Sequence, residues 1–416
     1  MAVSAAASPS TTTYYACLRD GSLSKVSTSA HACAKSYRAV SWSAVGPRGA
    51  QGLRGKNGAN GRSVISAPLG AGNANCPNGG SSFTSAIATT YACNGADGKD
   101  GSPSTCILMT LCTWGTNYSG GSYGFSNPLG IAFDGTHLWV TNQNNNSVTE
   151  LNASDGSWIR TLSGGSYGFS FPDAIDFDGT HLWVTNLGNS VTELNASDGS
   201  WVQTLSGGSY GFVGPSAIAF DGTHLWVVNK DGSSVTELNA SDGSWVQTLS
   251  GGSYGFDDPD DIAFDGTHLW VTNETGNSVT EIDAAGGSWV RTLSTGYALN
   301  SPAGIAFDGA HLWVTNLYGN SVTEINAADG SWLGTYGGGS YGFDFPGAIA
   351  YDGTHLWVGN SVGSSITELN ASDGSWVQTI SGGSYGIDRS LGIAFDGAHL
   401  WATNFDGNSV TEIFNK

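Results

Sequence analysis

One eight-residue string, FDGTHLWV or a close variant, returns seven times and places histidine at positions 137, 181, 224, 268, 311, 355 and 399. The spacings are 44, 43, 44, 43, 44 and 44 residues. A period in this range signals a repeat architecture, in which each unit buries its apolar face on the next. Each unit reads as four short strands: one ending in IAF, then HLWV, SVTEL and SWVQTL. Asp-Gly, a strong hairpin signal, stands at the first-to-second and third-to-fourth turns. Four antiparallel strands in about 44 residues make the blade of a β-propeller.

The tryptophans make the blade count checkable. Of 15, seven belong to HLW (139, 183, 226, 270, 313, 357, 401) and six to the SW that opens the fourth strand (158, 201, 245, 289, 332, 376). The seventh copy ends after Thr411, Glu412 and Ile413 and has no fourth strand. Trp114, ahead of the first copy, precedes Ser119, Gly120, Gly121, Ser122 and Tyr123 at the spacing with which Trp158 precedes Ser163 and its successors. The segment from Trp114 to Ser119 is therefore expected to pair with the last blade and close the ring, leaving no long free strand edge. The fold class expected is all-β: a seven-bladed propeller of four-stranded antiparallel blades over residues 114–416.

Composition narrows the function. Glycine supplies 62 of 416 residues, 39% are apolar, 11% aromatic and only 12% charged, far from the charge-rich, aromatic-poor make-up of disorder. No apolar run approaches the length of a membrane span. The net charge of −20 is unevenly divided. Residues 1–113 carry nine basic and three acidic side chains, net +6, and residues 114–416 carry five basic and 31 acidic, net −26. So acidic a surface repels phosphate backbones and argues against a nucleic-acid partner. It suits a cationic partner, or a sugar reached through neutral polar groups.

All six cysteines precede residue 113 and fall in three close pairs, Cys17 and Cys33, Cys76 and Cys93, and Cys106 and Cys112. Three local disulfide loops are expected, although six cysteines leave the connectivity open. None has the CxxC spacing of a zinc or redox site. Disulfides imply an oxidising, extracytoplasmic setting. The opening residues 1–10 have neither a basic segment nor an apolar core, so no intact signal peptide is expected in them. Glycines 46, 49, 52, 55, 58 and 61, and again 95, 98 and 101, recur every third residue, as the crowded axis of a triple helix demands. These stretches, GPRGAQGLRGKNGANGRS and GADGKDGSP, resemble the collagen-like segments of bacterial surface proteins. With Pro47 the single proline of the longer one, a flexible spacer is the plainer reading, and trimerisation the alternative. The expected domains are a small Cys17/Cys33 module at 1–45, a Gly-X-Y linker at 46–63, a Cys76/Cys93 module at 64–94, a linker and Cys106/Cys112 junction at 95–113, and the propeller.

Given the DGTHLWVTN and NSVTELN pattern of each copy, residues 114–416 resemble the NHL and YVTN class of bacterial β-propellers, and also the repeats of the virginiamycin B lyase family. The Gly-His opening and Trp-Asp ending of WD repeats are missing. The class includes binding proteins, lyases and structural modules, so the resemblance implies a fold and leaves function to the site.

Residues present in every blade are read as structural. The seven histidines stand a blade apart, as do Glu150, Glu193, Glu237, Glu281, Glu324, Glu368 and Glu412, so neither set converges on one ion. The histidine is expected to hydrogen-bond within its own sheet and the HLW tryptophan to pack between blades. Function is sought where the copies differ, on the face where the fourth-to-first and second-to-third loops surround the mouth of the central channel. One connection reads Asp257, Asp258, Pro259, Asp260, Asp261. Carboxylates so close repel one another unless a cation or solvent separates them, which makes Ca²⁺ the one cofactor to consider, against the plainer reading of an exposed acidic turn. Asp173 adds a further acid after a loop proline, and Asp176 replaces the alanine found at 132, 219, 263, 306, 350 and 394. The second-to-third loops add Lys230, Asp231, Glu274, Leu317, Tyr318, Phe405 and Asp406. The candidate ligand-binding set is Asp176, Lys230, Asp257, Asp258, Asp260, Asp261, Glu274 and Tyr318, and no catalytic residue is assigned.

These features lead to the expectation of a secreted or cell-surface binding or adhesion protein, presenting a propeller on a collagen-like stalk to a glycan, peptide or matrix component. A virginiamycin B lyase-like metal-dependent enzyme is the second reading. It would ask for histidine and glutamate outside the repeated set, where only His31 and Glu274 stand. The third is a structural protein that assembles by strand donation, segment 114–119 closing a neighbour's ring.

Overall fold

The structure is a computed structural model that describes residues 13–19, 22–27, 29–30, 32–35, 38–43, 65–71, 78–84, 89–93, 115–381 and 385–414. The chain forms two compact units, Met1–Thr105 and Cys106–Lys416. In the first, Thr13–Arg19 pairs with both Ser22–Ser27 and Arg38–Ser43, and Asn78–Thr84 with both Ile65–Ala71 and Thr89–Cys93, giving two three-stranded antiparallel sheets. Cys33 is disulfide-bonded. The side chains of the other five cysteines, both Gly-X-Y segments and Trp114 lie outside the described residues.

The second unit is a propeller of seven four-stranded antiparallel sheets. Blade 1 runs from the channel outwards as Pro128–Phe133, His137–Asn142, Ser147–Asn152 and Trp158–Ser163. Blades 2 to 6 repeat this order, their innermost strands beginning at Pro172, Pro215, Pro259, Pro302 and Pro346. Blade 7 takes Ser390–Phe395, His399–Asn404 and Ser409–Phe414 from the carboxy-terminal end and, as its outermost strand, Gly115–Ser119. In that pairing Ser119 stands opposite Ser409 and Gly115 opposite Ile413. The Tyr118 ring stacks on Trp401 at 5.6 Å. Among the described residues no helix is long and apolar enough to cross a membrane.

The register explains the repeat. Trp139 lies opposite Ala132 on the first strand and Glu150 on the third, so a small neighbour leaves room for a large ring. All seven HLW indoles are fully buried. Each enters the apolar cluster of the following blade: Trp226 among Phe256, Ile262, Leu269 and Val271, and Trp401 among Phe125, Leu138, Val140 and Leu151. The indole N–H still needs an acceptor once water is removed. Asp134 supplies it at 2.8 Å, and its other oxygen accepts the amides of Thr136 and His137. The same 2.8 Å bond recurs at Asp178, Asp221, Asp265, Asp308, Asp352 and Asp396. His137 Nδ1 sits 3.2 Å from Asp134 and 3.6 Å from Glu150, completing a buried polar cluster in each blade.

The repeated glutamate is in turn held from the outer strand by a residue whose identity varies. Arg160 reaches Glu150, Gln203 Glu193, Gln247 Glu237, Arg291 Glu281, Tyr336 Glu324, Gln378 Glu368, and Tyr118 Glu412, at 2.5 to 2.7 Å. Among these side chains Gln203 and Gln247 also grip the next blade: Gln203 donates to the Asp242 carbonyl and Gln247 to that of Gly286. Polar staples thus run along the rim outside the buried indoles.

The two tryptophan rings differ in burial, since the described SW tryptophans are 44–48% exposed. Trp226→Ala should therefore lower stability by about 3–5 kcal/mol in urea unfolding, and Trp245→Ala by about 1 kcal/mol or less. Equal losses at the two positions would contradict this division of roles.

Candidate functional site

The channel mouth is built from two loops per blade that lock together. The second variable residue of each fourth-to-first loop has left-handed backbone: Asn127, Phe171, Gly214, Asp258, Ser301, Phe345 and Arg389, with φ between 51° and 61°. For a side chain such as Phe171 this conformation is unfavourable by about 1–3 kcal/mol and persists only when neighbours dictate it. Its carbonyl accepts the amide that opens the second-to-third loop of the same blade, at 2.9 to 3.1 Å in all seven. In five blades its amide also donates to an asparagine of the adjoining blade: Asn408 for Asn127, Asn146 for Phe171, Asn189 for Gly214, Asn277 for Ser301 and Asn320 for Phe345. The asparagine of the repeated N-S-V is thus a latch between blades.

This frame presents one side chain per blade at an equivalent point, and the seven positions are Gln143, Leu187, Lys230, Glu274, Leu317, Ser361 and Phe405. A second varied ring follows the loop proline on the innermost strand: Leu129, Asp173, Ser216, Asp260, Ala303, Gly347 and, after Ser390, Leu391. The innermost-strand ring, with Leu187, Lys230, Glu274 and Leu317 of the loop ring, lines a cavity of about 680 Å³. Its charged groups gather on blades 2 to 4, as Asp173, Lys230, Asp231, Asp260 and Glu274. Blades 5, 6, 7 and 1 contribute Ala303, Leu317, Gly347, Leu391 and Leu129.

Lys230 stands at the centre of the charged side. Its Nζ lies 2.5 Å from Asp260 Oδ1 and 2.8 Å from Glu274 Oε2. Burial opposes the ammonium charge, yet the charges and hydrogen bonds of Asp260 and Glu274 raise its pKa further. Asp260 itself is raised, burial outweighing the ammonium. Asp173, confined in the same mouth, is pushed up to about 7, first by burial and then by the Asp260 charge, with Lys230 opposing. The site thus gathers four acidic side chains, Asp173, Asp231, Asp260 and Glu274, with one ammonium, an excess of acid that favours a further positive charge.

The other expected site residues are dispersed. Asp257 and Asp258 lie in the loop, and Asp260 and Asp261 in a bulge between Pro259 and Ile262 of the strand Pro259–Phe264, so the Asp257 to Asp261 run does not converge. Asp257 is exposed and Asp258 Oδ2 accepts the Thr275 hydroxyl at 3.1 Å. Asp260 turns to Lys230, while the Asp261 carboxylate accepts the amides of Ile262 and, on blade 5, Ile305 at 2.8 and 3.0 Å. Among the described residues no three His, Cys, Asp or Glu side chains are grouped to hold a metal ion. Asp176 has the partners its position demanded, the amides of Phe177 and, on blade 3, Phe220, both at 2.9 Å. Asp176 and Asp261 therefore tie neighbouring innermost strands, and burial pushes their pKa values up to about 6 and about 7. Tyr318 is 62% exposed and meets Phe345 edge-on, beside the loops but away from the acidic group.

No protein-family model and no curated protein sequence matches the chain. Solved structures do match. A catalytically inactive virginiamycin B lyase from Staphylococcus aureus with quinupristin is 18% identical, covering 73% of this chain and 99% of that one, with a TM-score of 0.60. A streptogramin B lyase is 20% identical over 73% and 98%, TM-score 0.58, and the hydrazine synthase of Kuenenia stuttgartiensis 20% identical over 71% and 97%, TM-score 0.58. What is shared is the propeller fold. The chain is thus a seven-bladed propeller resembling that of virginiamycin B lyase.

The raised pKa of Asp173 carries a stability consequence. Its folded value of about 7 exceeds the unfolded value of 3.8, so the ionised form is disfavoured in the folded state and the penalty is complete above pH 7. Asp173→Asn should be more stable than the unaltered protein at pH 8, the difference shrinking as pH falls from 7 towards 4. Urea unfolding across that range checks it, and a pH-independent difference would be inconsistent.

Proposed function

We propose that the protein is a non-enzymatic binding module whose channel mouth takes a cationic ligand with an apolar portion, a basic amphipathic peptide segment being the chemistry that fits. The observation carrying this reading is the mouth itself: a frame of loops whose left-handed residue and carbonyl bond recur in all seven blades presents different side chains, with carboxylates on one side and aliphatic groups on the other. The net charge of −26 on residues 114–416 would draw such a ligand in before contact. The disulfide at Cys33 and the Gly-X-Y spacing support a stalk that carries the propeller in an oxidising, extracytoplasmic setting, as a secreted or surface protein does. The lyase reading has similarity of fold behind it, and the repeated histidines and Glu274 are already engaged, by carboxylates of their own blades and by Lys230.

Calorimetric titration with short Lys/Leu and Arg/Leu peptides tests the proposal. Binding should weaken at least tenfold in Asp260→Asn/Glu274→Gln, weaken with added salt, and strengthen in Lys230→Ala, which removes the competing ammonium. Peptide binding indifferent to all three changes, or a preference of the mouth for neutral oligosaccharides, would overturn it.

We propose that the strand Gly115–Ser119, which pairs with Ser409–Phe414, closes the ring of its own chain, with donation to a neighbour as the alternative. Sedimentation of residues 107–416 should then give one monomeric species at all concentrations, whereas concentration-dependent chains of protomers would favour donation.

A further inference from the structure

The six described SW tryptophans form a second repeated feature that the channel mouth does not use. Trp158, Trp201, Trp245, Trp289, Trp332 and Trp376 occupy the same place on the outermost strand of blades 1 to 6, and each is 44–48% exposed. A propeller that needed only packing would not leave a large ring half in water at the same point of six successive blades.

The local backbone aims each ring outwards. In all six blades the outer strand carries a β-bulge at this point; in blade 1, Glu150 pairs with Arg160 but Leu151 with Trp158. Bulges re-aim side chains and are common beside functional sites. Each indole is also fixed in orientation, because its N–H donates to the hydroxyl of the threonine three residues on, at 2.9 to 3.1 Å. That hydroxyl is itself anchored in five of these cases on a tyrosine carbonyl of the preceding loop, for example Thr161 on Tyr123 and Thr204 on Tyr167. With its polar edge satisfied and its rotation blocked, the ring offers a rigid apolar plane at low entropic cost.

The surroundings select the ligand. In five of the six blades an exposed aspartate stands three residues before the tryptophan, in the preceding turn: Asp155, Asp198, Asp242, Asp329 and Asp373. One oxygen accepts the amide of the following serine. These carboxylates, on a strongly acidic unit, repel nucleic acid, sulfated polymers and anionic lipid headgroups. An aromatic plane beside a hydrogen-bond acceptor suits a neutral pyranose, whose axial C–H face lies on the ring and whose hydroxyls donate to the acid. Six like sites correspond to a ligand that presents the same unit many times, as a polysaccharide does, and individually weak contacts then sum by avidity.

We propose that the outward-aimed indoles of blades 1 to 6 are a multivalent site for a neutral polysaccharide, separate from the channel mouth. The test incubates the full chain with amorphous cellulose and with chitin, and in parallel with phosphatidylcholine vesicles, and measures the bound fraction by sedimentation. The chain should partition onto at least one polysaccharide, with a blue shift in tryptophan emission. Trp245→Ala should reduce apparent affinity a few-fold and Trp201→Ala/Trp245→Ala/Trp332→Ala by 100-fold or more, both variants keeping the melting temperature within a few degrees and remaining monomeric. Asp260→Asn/Glu274→Gln should leave polysaccharide binding unchanged, which separates this site from the mouth. Failure to bind either polysaccharide, binding to the vesicles alone, undiminished binding by the folded triple variant, or self-association lost in that variant would each overturn the proposal.

Discussion

Every blade depends on the burial of one indole whose N–H has an internal acceptor. An HLW tryptophan removed from water leaves a donor that must be satisfied, and the aspartate of the first turn does this at 2.8 Å in all seven copies. The same carboxylate ties the turn through two backbone amides, so the hairpin and the core cannot form independently. Histidine and glutamate complete the cluster, and the glutamate is reached in turn from the outer strand. Because each indole packs into the following blade, the ring is stable only as a whole. That is the physical reason for Gly115–Ser119 at the outer edge of blade 7: its Tyr118 stacks on Trp401 and hydrogen-bonds Glu412, the duty Arg160 and Gln203 perform elsewhere.

Rigidity in the repeated parts permits variety at the mouth. The loops there contain left-handed residues that are not glycine, held by carbonyl and asparagine latches from within and between blades. A loop so constrained accepts leucine, lysine, glutamate or phenylalanine at its displayed position without altering its path. Charge can then be segregated. Lys230 bridges Asp260 and Glu274 on one side of the cavity, and the opposite side is aliphatic.

Much of the architecture was legible in the sequence, because periodicity in side-chain character reports directly on which face of a strand is buried. The histidine spacing marked seven blades, the missing fourth strand of the last copy pointed to the segment ahead of the first, and the structural role of the repeated histidines followed from their being a blade apart. Less legible were partnerships. The aspartate of FDGTHLW reads as a turn former, and only the folded hairpin brings its second oxygen to the indole five residues away. The run Asp257 to Asp261 reads as one acidic cluster, whereas the loop, the bulge that opens the strand and the adjoining blade send its members to a threonine, a lysine and two amides. Asp173 carried the signal of a non-repeated acid, but its tie to Lys230 and Asp260 runs across blades 2, 3 and 4.

What the sequence by itself determined is the repeat: strand order, blade number, and the identity of the buried ring, all consequences of local patterning and of a period that recurs along the chain. The tertiary structure alone decided which charged groups meet and which tryptophans face water. Those outcomes depend on side chains from different blades brought to one place by ring closure, and on backbone bulges that turn a residue outwards, neither of which leaves a mark in local composition.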